Sequence, residues 1–398
     1  MKAKKVYYIL RSVMGLSFHM MFTVSVLYRI DIANLEAYQL ILLGSALEIS
    51  LLLFEVPTGI IADLKSRRLS VIIGLFIIGL GFIMEAFTTW FIIIFLSQIV
   101  WGFGYTFISG ALDSWISDET HNVDIQKTLV SGQQMNKLFS FAGIVIAGII
   151  GTCSIILGIY VAGSIFMMLG VFAITCMREE HFQKTVHQQP LYKEYFSQLI
   201  EGFKHVKKNN ILRLMFVAML FYGLFSEGID RTYELFILDH LGFRGFNDWE
   251  PIWVIASVNG IIAITSFVFL EVIKRFVKKE RHFAMWVAYL TGMMIMGLLL
   301  FAYLPYLYFA LFGYIFFTVM REGSEPILNA ILITNTPSKI KATVLSGFGQ
   351  LDAIGQLISG GLMVALSILT GIKGMYLVAA LLLIIPIISL LSISKIKK

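Results

Sequence analysis

Charged side chains recur at helical spacing inside strongly apolar stretches of this sequence. Residues at i, i+3, i+4 and i+7 share one face of a helix, so such a set predicts a polar stripe. An ionisable group at the centre of a bilayer costs about 2.5 to 3.5 kcal/mol, and it therefore marks a path for a solute or a proton. The two strongest stripes are Glu227, Asp230, Arg231 and Glu234, and Thr318, Arg321, Glu322, Glu325 and Asn329.

Weaker polar stripes lie in three further apolar stretches. They are Glu48, Glu55 and Gly59; Gln98, Gly102, Thr106, Ser109 and Asp113; and Gly349, Asp352, Gln356 and Ser359. Polar faces on five helices cannot all contact lipid, so we expect them to converge on a central cavity between two halves of the chain. Acids outnumber bases in these stretches, which favours a proton or a cationic or zwitterionic solute over an anion.

The expected cavity has its own set of candidate substrate residues. They are Glu227, Asp230, Arg231, Arg321, Glu322, Glu325, Gln98, Trp101 and Tyr105. Aromatic rings in this set either line a pocket for an apolar cation, with cation–π contacts of up to about 2 kcal/mol, or pack against other helices. Arg231 lies four residues from Glu227, and Arg321 lies four residues before Glu325. These neighbours form structural ion pairs or bind substrate.

Three acids are candidates for proton coupling. Glu48, Asp113 and Asp352 have no basic residue within one turn of their own helix. A low-dielectric site disfavours the charged form of an unpaired carboxylate, so we expect at least one of them to gain and lose a proton near neutral pH. The alternative for each is an ion pair with a base on another helix: Arg11, Lys137 or Arg321.

The elements that must position these residues are membrane-spanning helices. The chain of 398 residues is 58% hydrophobic and only 14% charged, whereas soluble domains carry about a quarter charged residues. Each span needs roughly 20 mostly apolar residues. Twelve stretches meet that length: 6–29, 38–62, 69–89, 91–117, 128–152, 155–177, 211–240, 251–273, 283–304, 306–335, 340–368 and 372–394. We expect an all-α integral membrane protein.

A long polar segment divides these stretches into six and six. We expect a bundle of six helices in residues 1–177, a cytoplasmic linker in 178–210 and a second six-helix bundle in 211–398. Apolar residues recur at helical spacing within the linker, which predicts an amphipathic helix along the inner membrane surface. A weak repeat supports two parallel halves, because "ADLKSRR" and "LEVIKRF" both place a base four residues after an acid.

The distribution of Lys and Arg predicts the orientation. With the amino terminus inside, only Arg29, Arg244 and Lys373 fall on the outer side, and cytoplasmic loops collect the basic residues. Both termini are therefore expected in the cytoplasm, with the chain in the cell membrane. The net charge of +6 reflects this topology, and no nucleic-acid partner is expected.

The stretch "VPTGIIADLKSRRLSVIIG", residues 56–74, resembles the signature loop of the major facilitator superfamily, G-x-L-A-D-R-x-G-R-K. Gly59, Asp63, Arg67 and Arg68 match the pattern, whereas Leu64 and Ser66 replace its first arginine and second glycine. The resemblance implies two six-helix bundles. It also implies that the four matching residues form a latch with the start of helix 11, near residues 341–344, that holds an outward-open state.

Two other stretches, "FISGALDSWISDE" and "EGFKHVKKN", resemble drug-efflux members of that superfamily. Two family features are absent. Gln98 stands where the family has an arginine in helix 4, and residues 143–151 lack the proline of the antiporter motif. The resemblance implies a secondary transporter that works by alternating access, with proton-coupled efflux as the leading hypothesis. The excess of acids over bases in the spans favours a small cationic or amphipathic compound as the substrate, and we expect a monomer.

The sequence also bears on functions other than efflux. A proton symporter that imports a small nutrient has the same fold and remains open. A membrane-embedded enzyme is a distant alternative, because the sequence contains no H-E-x-x-H motif. No Gly-Lys dipeptide exists, so the phosphate-binding loop of an ATPase is absent. No cofactor and no metal ion are expected.

Overall fold

A computed structural model describes residues 2–120, 125–182, 206–243, 250–276, 282–336 and 341–396, and within these ranges the chain forms helices and no strand. The helices are α1 (Ala3–Leu27), α2 (Ala37–Leu64), α3 (Arg67–Ala86), α4 (Phe91–Ile108), α5 (Ala111–Glu119), α6 (Ile125–Cys153), α7 (Ile155–Cys176), α8 (Asn210–Leu235), α9 (Pro251–Phe276), α10 (Phe283–Tyr303), α11 (Leu307–Thr334), α12 (Lys341–Leu382) and α13 (Ile384–Ile396). Short π-helices extend α1 over Tyr28–Ile32 and α8 over Phe236–His240.

Many of these helices are long and apolar enough to cross a membrane. Ten such segments occur in the described part of the chain, and α4 with α5 counts as one of them. The last, Gly347–Ile396, is 50 residues long. It is broken at Gly371, whose φ of 70° suits a residue without a Cβ, between the expected spans 340–368 and 372–394. The all-helical class is confirmed, whereas the count of twelve spans stays a prediction.

The helices form two compact units. The first comprises Met1–Gln39, Leu43–Gln188 and Glu250–Ala256, and the second comprises Leu40–Leu42, Gln189–Trp249 and Ser257–Lys398. The first unit therefore contains most of α1 to α7. The second contains α8, α10 to α13 and the greater part of α9.

Glycines bring α8 and α12 into backbone contact in the second unit. A Cβ at Gly355 would lie 2.4 Å from the carbonyl oxygen of Leu220, and a Cβ at Gly223 would lie 2.2 Å from that of Asp352. Small residues allow this close approach, which strengthens helix packing inside a membrane. Asp352 on α12 is therefore held directly beside α8.

The expected linker helix cannot be compared with the structure, because residues 183–205 lie outside the described ranges. The described start of the linker is held to the first unit. Trp115 Nε1 donates a hydrogen bond of 2.8 Å to the carbonyl oxygen of Arg178. The backbone N–H groups of Glu180 and His181 donate to the Glu119 carboxylate at 2.8 and 2.9 Å.

Candidate functional site

A cavity of about 530 Å³ in the second unit gathers several of the predicted site residues. Helices α8, α11 and α12 supply its walls. Its charged lining groups are Arg321, Glu322, Glu325 and Asp352. The rings of Tyr222, Phe225 and Phe348 also line it, together with Thr318 and Asn329. We call this space the acidic cavity, because three of its four charged groups are carboxylates.

The guanidinium group of Arg321 is neutralised by Asp230. Its Nη1 donates to Oδ1 at 2.5 Å and its Nη2 donates to Oδ2 at 2.8 Å, so the pair is bidentate. The guanidinium also lies 5.5 Å from the ring centroid of Phe225, which adds a cation–π contact. The sequence left open whether Arg321 pairs with Glu325 on its own helix or binds substrate. Instead, its ion pair joins α11 to α8.

The carboxylates of the acidic cavity form no ion pairs with other described residues. Glu325 is exposed and Glu322 is half-buried, and neither forms an ion pair with another described residue. Asp352 accepts one side-chain hydrogen bond of 2.9 Å, from Gln356 Nε2, and it too forms no ion pair among the described residues. Because Asp230 pairs with Arg321, carboxylates predominate among the charged groups that line the cavity.

Glu227 and Arg231 form the local pair that their spacing predicts. Arg231 Nε donates to Glu227 Oε1 at 3.0 Å, and Glu227 is only 1% exposed. Their i,i+4 pair lies within α8, next to the Asp230–Arg321 ion pair, and neither side chain is among the described ones that line the acidic cavity.

In the first unit, Gln98 and Trp101 belong to a buried network. Gln98 Nε2 donates to Glu85 Oε2 at 2.8 Å, and Trp101 Nε1 donates to Gln98 Oε1 at 2.9 Å. Arg29 forms a bidentate pair with Glu85, whose side chain is completely buried. Glu85 was missed by the sequence reasoning, although a lone acid in the apolar run "GLFIIGLGFIMEAF" is a clear signal. Arg29 was expected at the outer surface.

Trp101 and Tyr105 also pack within a cluster of aromatic rings. The ring centroid of Phe18 lies 6.2 Å from that of Trp101, 6.1 Å from that of Tyr105 and 4.7 Å from that of Phe166. Trp101 is 8% exposed and Tyr105 is 39% exposed. Of the two, Tyr105 therefore has the larger surface with which to contact a solute.

Asp113 has partners on α1. Its carboxylate accepts hydrogen bonds from Arg11 Nη2 and, at 2.8 Å, from the Tyr7 hydroxyl. Pairing with Arg11 was one of the alternatives left open by the sequence. Glu48 is half-buried on α2. The proton-coupling role of Asp113, Glu48 and Asp352 stays a prediction, and the three acids have different surroundings.

The signature residues 59–68 span the end of α2, the turn at Lys65 and Ser66, and the start of α3 in the first unit. Arg67 lies between two acids: its Nη2 is 3.6 Å from Asp63 Oδ1, and its Nη1 pairs with Asp118 on α5. Asp63 keeps 44% of its side chain exposed, and Gly59 is exposed near the end of α2. The partner that the resemblance implies, residues 341–344, forms the start of α12 and belongs to the second unit. The latch therefore stays a prediction.

Glu179 holds the other end of the signature loop. It accepts a hydrogen bond of 2.5 Å from the Ser66 hydroxyl and one of 3.0 Å from the Arg68 backbone N–H. Ser66 is the N-cap of α3, because its Oγ accepts from the Leu69 N–H at 2.9 Å. The serine that replaces the signature glycine therefore joins α3 to the segment that follows α7.

Comparison with known proteins agrees with this arrangement. The family model described as Major Facilitator Superfamily matches residues 7–360. The chain is 23% identical over 392 residues to a protein of Bacillus subtilis (strain 168) named "Uncharacterized MFS-type transporter YxaM". That match covers 98% of this chain and 96% of the relative.

Solved structures share the fold at low sequence identity. A mutant form of the nucleoside transporter NupG has a TM-score of 0.83 with this chain at 14% identity, covering 98% of this chain and 99% of that one. A peptide transporter POT in complex with sulfate has a TM-score of 0.77 at 14% identity, covering 100% and 95% of the two chains. The expected superfamily fold is therefore confirmed by both kinds of comparison.

Proposed function

The chain belongs to the Major Facilitator Superfamily and is a membrane transporter rather than an enzyme, and we propose that it exports a small cationic or amphipathic compound in exchange for protons. The observation that carries the proposal is the charge of the acidic cavity. Glu322, Glu325 and Asp352 line it, whereas Arg321 is engaged by Asp230. A cation entering this space gains electrostatic attraction, and an anion meets repulsion.

The ring-bearing walls of the acidic cavity support an amphipathic substrate. Tyr222 and Phe225 are buried on α8, and Phe348 on α12 is only 4% exposed. An organic cation offers apolar surface to these rings and positive charge to the carboxylates. Such a ligand satisfies both features of the lining, whereas a small hydrated ion satisfies only the second.

Proton coupling is assigned first to Asp352. It lines the cavity and its only side-chain partner among the described residues is Gln356. A carrier that closes around a site must neutralise the carboxylates within it, because a bare charge in a dry cavity is costly. Substrate cation and proton therefore compete for the same negative charge, which is the basis of exchange.

A proton symporter that imports a small nutrient is the second candidate. It is favoured by the sequence of α6, in which residues 143–151 lack the proline of the antiporter motif. Two of the solved neighbours are named as nucleoside and peptide transporters, which adds those solute classes to the alternative.

The chain works as a monomer in the plasma membrane with both termini in the cytoplasm. Gly59, Asp63, Arg67 and Arg68 form the latch of the alternating-access cycle. The protein uses no cofactor, because the proton gradient supplies the energy.

Flux in proteoliposomes under imposed pH gradients tests the proposal. With an acidic lumen, proton exit through an exchanger accumulates an organic cation such as ethidium inside the vesicles. With an acidic exterior, only a symporter accumulates its solute. Protein-free liposomes and vesicles without a gradient are the controls. Accumulation driven by the acidic exterior supports the second candidate, and flux that ignores both gradients contradicts proton coupling.

A further inference from the structure

Gly349 on α12 forms part of the wall of the acidic cavity. It is the one glycine among the described residues that line this cavity, and it lies three residues before Asp352. Residues at i and i+3 share one face of a helix. Gly349 is also exposed. The cavity wall beside Asp352 therefore carries no side chain at this position.

Helix packing does not require a glycine at position 349. A Cβ at this position would meet no described atom within 4 Å. Gly355, six residues further along α12, is different, because a Cβ there would lie 2.4 Å from the carbonyl oxygen of Leu220. Small residues in membrane helices usually serve such close packing. Gly355 serves that purpose among the described residues, and Gly349 does not.

The backbone conformation does not require a glycine at position 349 either. The non-helical residue within α12 is Gly371, whose φ is 70°. Gly349 is not among the described glycines with a positive φ. Inside a helix, glycine is less favourable than alanine, because it loses more conformational freedom on folding. The visible consequence of Gly349 is therefore the space that it leaves in the acidic cavity.

We propose that Gly349 determines the size of the substrate, by leaving room for the bulky apolar part of an organic cation beside Asp352. This inference rests on the proposed function, because it places one part of the exported cation. The cavity of about 530 Å³ lies within the roughly 300 to 1,000 Å³ that is typical of small-molecule sites. The rings of Phe225 and Phe348 line the same space and offer apolar contact to such a group.

Tetraalkylammonium ions test the proposal, because they keep one positive charge while their apolar volume changes. Binding of tetramethylammonium and tetrabutylammonium to the purified full chain is measured by isothermal titration calorimetry. Gly349→Leu should weaken the binding of tetrabutylammonium about tenfold and leave that of tetramethylammonium within about a factor of two. Its melting temperature should stay at the wild-type value, because the new Cβ enters open space.

Gly361→Leu is the matched control. Gly361 lies on the same helix and is exposed, and a Cβ there would also meet no described atom within 4 Å. It is not among the described residues that line the acidic cavity. Gly361→Leu should therefore bind both ions as the wild type does. Gly355→Leu is the packing comparison, and it should lower the melting temperature because its Cβ meets the backbone of Leu220.

Gly349→Ala is the second variant if Gly349→Leu does not fold. Alanine favours a helix, so the melting temperature should not fall, and tetrabutylammonium binding should weaken about threefold. An unchanged ratio of the two affinities, equal weakening for both ions, or loss of folding in both variants overturns the role of Gly349 and leaves the proposed function standing. Binding of neither ion by the wild type contradicts the proposed function itself, and the role of Gly349 with it.

Discussion

Arg321 takes its counter-charge from Asp230 on α8, although Glu325 lies one turn away on its own helix. Asp230 accepts two charge-assisted hydrogen bonds from Arg321, at 2.5 and 2.8 Å, in a bidentate geometry. Glu325 forms no ion pair with Arg321 among the described residues. Glu325 is consequently left to line the acidic cavity. The Arg321–Asp230 ion pair therefore links α8 to α11. Because it also engages Arg321, carboxylates predominate among the charged groups that line the acidic cavity.

A double-mutant cycle on Arg321 and Asp230 tests this pairing. Arg321→Ala and Asp230→Asn should each lower the thermal stability of the purified protein, since each leaves a partner uncompensated. Residues in direct contact of this kind typically show coupling energies of about 0.5 to 3 kcal/mol. The double variant should therefore lose less stability than the two single losses added together.

Arg321→Ala combined with Glu325→Gln is the matched control for that cycle. Glu325 forms no ion pair with Arg321 in the described structure, so these two losses should simply add. Strong coupling of Arg321 to Glu325, with none to Asp230, would contradict the pairing and restore the local pair that the spacing of α11 suggests.

The local spacing of charges predicts some partners and misses others for a physical reason. Glu227 and Arg231 are four residues apart on α8, and helix geometry alone brings them together. The pairs Arg29–Glu85, Arg11–Asp113 and Arg321–Asp230 join different helices. Helix packing determines those partners, and periodicity within one helix carries no information about it.

At the scale of the elements, Ser66 joins two segments that are distant in the sequence. It caps α3 through the Leu69 N–H and donates to Glu179 beyond α7. The Glu179 carboxylate also lies at the amino end of α3, where the helix dipole favours a negative charge. A glycine at this position, as in the family pattern, has no hydroxyl with which to make either contact.

Ser66→Ala should therefore be more damaging than the loss of an ordinary helix cap. Ser154, the N-cap of α7, is the matched control, because its Oγ accepts from the Leu157 N–H at 3.2 Å. Ser154→Ala should cost about 0.5 to 2 kcal/mol of stability. Ser66→Ala should cost about 1.5 kcal/mol more, since a hydrogen bond to a charged group is also lost. Thermal unfolding of both variants measures the difference, and equal losses would show that the Glu179 contact contributes nothing.

At the scale of the whole molecule, composition and one short motif predicted the class of protein. A chain with 58% hydrophobic residues is placed in a membrane, and Gly59, Asp63, Arg67 and Arg68 indicate the superfamily whose model matches residues 7–360. The acidic cavity was only partly predictable. The stripes on α11 and α12 identified Arg321, Glu322, Glu325 and Asp352, but α8 contributes aromatic rings there instead of its expected Glu227 and Arg231.

Proton coupling is a property of the whole transport cycle, and Asp352 is its first candidate. The carboxylate lines the acidic cavity without an ion pair in the described structure, whereas Asp113 already pairs with Arg11. Asp352→Asn mimics the protonated state permanently, so the cycle can close without a proton. Uphill accumulation driven by a pH gradient should then fall to the level of protein-free liposomes, while downhill exchange of substrate persists.

Asp113→Asn is the comparison that separates coupling from structure. Its loss leaves Arg11 without its counter-charge, so we expect a lower melting temperature and a parallel reduction of uphill and downhill transport. Asp352→Asn should instead lower the melting temperature much less, because the Asp352 carboxylate forms no ion pair among the described residues and its side-chain hydrogen bond from Gln356 can also be accepted by an amide oxygen. If Asp352→Asn retains uphill transport in proteoliposomes, the coupling acid lies elsewhere, and Glu48 becomes the next residue to replace.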